Sequence, residues 1–181
     1  MTRRMIFRFI VMFVAGTALT AAAEPAAMQM ASIDFPSGAA MPRKYTLYGA
    51  NISPELHWQG VPPGTAAVVV SCIDSHRMAR QWVHWLVINI DPVVTSLPEG
   101  CSRGMLPHGA VELKNSFGTT GYGGPQPPAG TGDHVYIFTV YALREPLPGL
   151  GPDSFVTAAR LRELLRNRVL GQASCCGSFR R

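Results

Sequence analysis

Apolar positions along this chain fall in short runs cut by glycine and proline. Val68 to Ile73, Trp82 to Ile90 and His134 to Ala142 carry apolar side chains at successive as well as alternate positions. A strand buried on both faces reads this way, so these three segments are expected in the middle of a sheet. A further strand is expected near Tyr45, with turns at Gly49 to Pro54 and Pro62 to Thr65. Only Asp153 to Leu170 has a helical period, its stripe formed by Phe155, Val156, Ala159, Leu161, Leu164 and Leu165, with Asp153 or Ser154 as cap. The pattern predicts a mainly β domain with a C-terminal α-helix.

The segment NSFGTTGYGGPQPPAGTGDHVY, Asn115 to Tyr136, is too rich in glycine and proline for helix or central strand until His134. Phe117 and Tyr122 give it apolar anchors, and a strongly apolar strand follows. These features predict an ordered loop that delivers a histidine, rather than a linker.

The N-terminus changes the reading of charge. Arg3, Arg4 and Arg8 precede an apolar run that ends in small residues, with Ala21-x-Ala23 before Glu24. This is the layout of a cleaved secretory signal over residues 1–23, leaving a domain over 24–181 outside the cytoplasm, periplasmic or secreted, without a stable membrane anchor. Removing it lowers 16 basic residues to 13 against 11 acidic ones, so the formal charge drops from +5 to +2. Nucleic acid is not an expected partner at that charge, with no basic run interleaved with aromatics. Cys72, Cys101, Cys175 and Cys176 match no zinc spacing, and neither metal nor cofactor is expected. Their pairing stays open; a bridge from Cys101 to the adjacent C-terminal pair is one option.

Candidate chemistry gathers on two strands and the loop between them. Strict alternation puts Trp82 and His84 on one face with Leu86 and Ile88, and puts His134 and Tyr136 together on another strand, about 7 Å apart. Asp133 points the other way. Asp74, at a strand end, is the carboxylate placed to orient a histidine. Two histidines, a tyrosine and an aspartate beside glycine-rich turns, whose N–H groups attract oxyanions, point to a small anion pocket walled by Trp82 and Pro128. Gly100-Cys101-Ser102-Arg103-Gly104 matches G-x-S-x-G, but prolines and glycines surround it, so it lacks the strand and helix a nucleophile elbow needs. The arginines at 160, 162, 166 and 168 read as a solvated helix face.

The string SPELHW, the strand WVHWLVINI with an aspartate before it, NSFGTTGYGGPQPP and GTGDHVYIFTVYAL, in that order, resemble the phosphatidylethanolamine-binding, or Raf kinase inhibitor-like, proteins from about Asp34 onward. The secreted bacterial branch is the nearest match. The resemblance implies a large antiparallel sheet, a smaller sheet, a C-terminal helix, and a cavity for phosphate or phosphorylated groups. Its ligand-binding residues would be Asp74, Trp82, His84, Pro128, His134 and Tyr136. It also implies a regulator or inhibitor of a partner protein, not an enzyme.

Two departures bear on the ligand. Asp74-Ser75-His76 stands where the family usually has Asp-Pro-Asp, which favours simple anions over zwitterionic headgroups, and Gln126 stands where bacterial relatives commonly have Cys. The short segment from His76 to Trp82 is expected to open the pocket rim. Two other readings remain: a periplasmic hydrolase using Asp74, His84 and His134, for which no nucleophile is visible, and a protease or kinase inhibitor with a vestigial pocket.

Overall fold

In the computed structural model, which describes residues 27–181, eight strands form two antiparallel sheets. The leader expected over residues 1–23 lies outside the described residues. A small sheet joins β1 (Gln29–Ala31), β2 (Leu56–Gln59) and β5 (Ser96–Leu97) in the order β1-β2-β5. A larger one joins β3 (Ala67–Asp74), β4 (Trp82–Ile90), β6 (Val111–Glu112), β7 (His134–Leu143) and β8 (Val169–Phe179) in the order β6-β4-β3-β7-β8.

The two apolar faces of β3, β4 and β7 pack in two directions. One meets the small sheet around Phe35, Tyr45, Trp58, Trp85, Phe138 and Val140. The other, with Val69, Leu86, Ile88 and Leu143, is covered by the helix α1 (Ala158–Leu165) through Leu161 and Leu165. Each large side chain so buried contributes about 1.5–3 kcal/mol. Central burial on both faces is what the long apolar runs required.

Three local expectations are corrected. The segment at Tyr45 is a single 3-10 turn, Arg43–Tyr45, because the Thr46 hydroxyl and the Tyr45 and Thr46 amides bond back to Pro42 and Arg43 carbonyls. The helix starts at Ala158, five residues after Asp153, since Thr157 is the cap that accepts from the Arg160 amide at 3.1 Å. It ends at Leu165, and Asn167, with φ of 63°, turns the chain into β8. Val169 and Leu170 therefore belong to a final strand paired along β7, and the helix is not the last element. The four cysteines are free thiols, with Cys72, Cys101 and Cys175 buried in the core between the sheets.

Candidate functional site

The ends of three strands coincide at one edge of the large sheet. Asp74 closes β3, and its register partners are Trp82, which opens β4, and Tyr136 in β7, whose first residue is His134. Antiparallel pairing thus gathers side chains 60 residues apart in sequence. A cavity of about 270 Å³ lies there, and all six residues named from the sequence line it: Asp74, Trp82, His84, Pro128, His134 and Tyr136.

His84 reaches the cavity by a route that alternation does not give. Cys72 opposes Trp85 and Ile73 opposes Val83, so two steps of β4 match one of β3, leaving His84 as the extra residue of a bulge. The bulge resets the parity. Leu86 and Ile88 face the helix, while His84 turns to the opposite face with Asp74 and Tyr136, correcting the expectation that it shares a face with Leu86 and Ile88.

The buried ring of His84 is held at one nitrogen. Nδ1 donates to the Gly123 carbonyl at 2.5 Å, and the Gly123 amide returns a bond to the His84 carbonyl at 2.9 Å. Burial lowers the pKa of His84 below its ordinary 6.5, against weaker upward pulls from the Gly123 carbonyl and the Asp74 carboxylate. At neutral pH the ring is therefore uncharged with its proton on Nδ1. Nε2 has no hydrogen-bond partner among the described residues.

His134 is differently placed. Its Nδ1 donates to Asp74 Oδ2 at 2.6 Å, both side chains being almost fully buried, while Asp74 Oδ1 accepts from the His76 amide at 2.8 Å. Its Nε2 lies 3.0 Å from Thr131 Oγ1. The Thr131 hydroxyl donates to the Pro128 carbonyl at 2.7 Å. Both ring nitrogens are thereby spent within the protein. His76 stacks on the His134 ring with centroids 3.9 Å apart, so the residue in place of the family's second aspartate backs the histidine rather than facing the cavity.

Of the residues that line the cavity, Tyr136 is the one with an orphaned buried polar atom. Its hydroxyl is fully buried and has no hydrogen-bond partner. Burial first, and then the negative charge of Asp74, raise its pKa far above the ordinary range, so it stays protonated and is a donor.

The loop from Asn115 is ordered, by means the sequence only partly disclosed. Asn115 is its buried hub: Oδ1 accepts from the Phe117 amide, and Nδ2 donates to the Gly121 carbonyl at 2.8 Å. Tyr122 is fully buried and its hydroxyl donates to the Tyr45 carbonyl at 2.9 Å. The expectation of glycine amides lining the pocket is corrected: the N–H groups of Gly118, Gly121, Gly123 and Gly124 bond to Asn115, Leu113, His84 and Asn51. What the loop brings is Phe117, Gln126, Pro127 and Pro128. Phe117 meets Trp82 and His84 edge-on at 5.4 Å. The short segment after His76 is likewise not an open rim, since its 3-10 turn Arg77–Ala79 adds Met78 and Ala79 to the wall.

Ser102 of the G-x-S-x-G string accepts from the Tyr122 amide at 2.8 Å and so fastens two loops together. Of the helix arginines, Arg160 pairs with Glu163 on the surface and Arg168 donates to the Leu164 carbonyl at the helix end. Asp133 points away from the cavity and pairs with Arg180. No group of three or more His, Cys, Asp and Glu among the described residues is placed to hold a metal ion.

A family model described as phosphatidylethanolamine-binding protein matches residues 31–180. The chain belongs to the phosphatidylethanolamine-binding protein family. It is 39% identical over 145 residues to the UPF0098 protein of Methanothermobacter thermautotrophicus, covering 78% of this chain and 91% of that one. It is 37% identical over 158 residues to LppC of Mycobacterium tuberculosis, whose name calls it a lipoprotein, covering 87% of this chain and 74% of that one. Among solved structures it is similar to Escherichia coli YbcL, described as a new member of the mammalian family, with a TM-score of 0.79, 32% identity, and coverage of 86% of this chain and 99% of that one. The two sheets and the helix over the larger one are thus the family's architecture. No helix among the described residues is long and apolar enough to cross a membrane.

Proposed function

We propose that residues 24–181 form an exported, non-enzymatic binding domain whose cavity takes a small tetrahedral anion, either free phosphate or the phosphoryl group of a larger ligand. The observation that carries this reading is the Tyr136 hydroxyl, a protonated donor buried in the cavity wall without a partner. A buried unpaired donor costs about 1–3 kcal/mol, which an oxyanion recovers. His84 acts beside it. An anion near Nε2 opposes the burial that lowers the pKa of His84, so anion and proton enter together, and affinity is greatest at low pH and falls as pH rises through the value in the bound state. Asp74 and His134, already paired, hold the wall in shape. Trp82, Phe117 and the prolines exclude water, which strengthens the polar contacts within. Export through a leader cleaved after Ala23 is supported by the residue pattern there and by a relative named as a lipoprotein.

Isothermal titration of the mature protein with inorganic phosphate at pH 6 tests the reading. Tyr136→Phe, which removes one hydrogen bond to a charged group worth about 1.5–3 kcal/mol, is expected to weaken binding tenfold or more. Unchanged affinity in Tyr136→Phe, or no binding in the parent, would sink it.

A hydrolase reading has one observation in its favour, the chain Asp74–His134–Thr131, which supplies the hydroxyl that the sequence did not reveal. That hydroxyl gives its proton to Pro128 instead of the imidazole, and Thr131 is not part of the cavity wall. Binding without turnover accounts for more of the site.

A further inference from the structure

Beside the anion cavity lies a second hollow, of about 630 Å³, that shares Met78, Ala79 and Trp82 with it. Its far wall is Phe155 and the start of α1, and Arg80 and Arg162 stand in its lining with no carboxylate among them. Large apolar side chains are exposed around both hollows: Met78 at 58%, Trp82 at 39%, Phe117 at 38% and Phe155 at 53%. Four such residues in one place exceed what scattered surface apolar groups explain.

The wall between the hollows is also held in an unusual backbone. Arg80 and Gln81 are consecutive non-glycine residues with φ of 48° and 59°. Any residue with a Cβ adopts this region at a cost, so the surroundings must hold it. Part of that hold is the bond from Arg162 on α1 to Gln81 Oε1 at 2.5 Å, which ties the partition to the helix. Neither Arg80 nor Arg162 forms an ion pair among the described residues. Their charges are free for a partner.

We infer that the two hollows form one track for an extended acidic peptide, resting on the anion reading of the first cavity: a phosphorylated or carboxylate side chain enters beside Tyr136, and an aromatic two residues away packs on Phe155 and Trp82 between Arg80 and Arg162. The spacing follows from strand geometry. Alternate side chains of an extended peptide project to the same side about 7 Å apart, and the hollows adjoin across the shared residues Met78, Ala79 and Trp82. Charge selects an acidic chain, since two unpaired guanidinium groups face the hollow and no acid opposes them. Two walled concavities with only two flanking arginines suit a peptide better than a lipid surface, which calls for a broader basic face.

The probe is acetyl-Glu-Phe-Gly-phosphoserine-Gly-Phe-Glu-amide, which presents an aromatic two residues from the phosphate in either chain direction. It and its unphosphorylated serine counterpart are titrated into the mature protein and into Phe155→Ser with Arg162→Gln, both exposed positions, the new amide keeping a donor for Gln81 Oε1, alongside inorganic phosphate and vesicles of phosphatidylglycerol. The peptide is expected to bind at least tenfold more tightly than phosphate in the parent, with the variant losing that gain and keeping its phosphate affinity. Equal affinities for peptide and phosphate, no binding of either, or a dependence on Phe155 and Arg162 seen only with vesicles would overturn the track. Should phosphate fail to bind while the phosphate-free peptide still binds in a Phe155-dependent way, the anion reading falls and the groove stands.

Discussion

The pair Asp74 and His134 shows how one residue can be needed by a site without serving its ligand. With both nitrogens of His134 occupied and Asp74 almost fully buried, removal of the imidazole leaves a carboxylate in the interior with only the His76 amide as donor. Breaking a buried pair from one side costs about 3–5 kcal/mol. His134→Ala is therefore expected to lose stability of that order in urea unfolding at pH 7, and a loss below 1 kcal/mol would show that the pair does not brace the wall. The identity of these residues was legible in the sequence, because Asp74, His134 and Tyr136 sit at strand ends where alternation holds. Their division of labour was not. Which nitrogen is spent and which hydroxyl is orphaned depends on partners such as Thr131 and Gly123, whose contributions come from a side-chain hydroxyl and a carbonyl that no spacing rule marks.

Among the elements, the bulge in β4 and the loop behind it set the site. The bulge turns His84 inward, and Gly123 holds its ring there, so the loop's path matters more than its amides. Gly124 fixes that path: a Cβ there would lie 2.2 Å from the Tyr45 carbonyl oxygen and 2.9 Å from Thr46 Cα, both backbone atoms that cannot step aside. Gly124→Ala is expected to destabilise by about 1–3 kcal/mol and to weaken phosphate binding by displacing Gly123, whereas Gly151→Ala, with open space around it, leaves both intact. Thermal unfolding and the phosphate titration check both variants, and wild-type behaviour of Gly124→Ala would refute this role for the loop. Long apolar runs made β3, β4 and β7 readable. β8 escaped because VLGQASCCGSF is short of large apolar residues, its small side chains being required where Pro62 and Met28 press on Gly171 and Met41 on Gly177. The bulge escaped because a period-two pattern carries no mark of an inserted residue.

At the scale of the molecule, the large sheet separates two cores and leaves one edge where three strand ends and two loops meet. The cavity at that edge contains one hydrogen-bonded aspartate–histidine pair, one orphan hydroxyl and one histidine kept neutral by burial. That combination sets a sign for linkage. Because burial holds the pKa of His84 below 6.5, its neutral form contributes stability that is fully present above the unfolded value and is lost as pH falls through it; a bound anion reverses the preference and draws a proton in. The direct measurement is proton uptake on binding sulfate, a tetrahedral anion with no proton of its own to give near neutrality, titrated at pH 7 in buffers of different ionisation heat. Net uptake by the parent that disappears in His84→Gln is the predicted result; binding with no uptake, or uptake that survives in His84→Gln, would contradict the account.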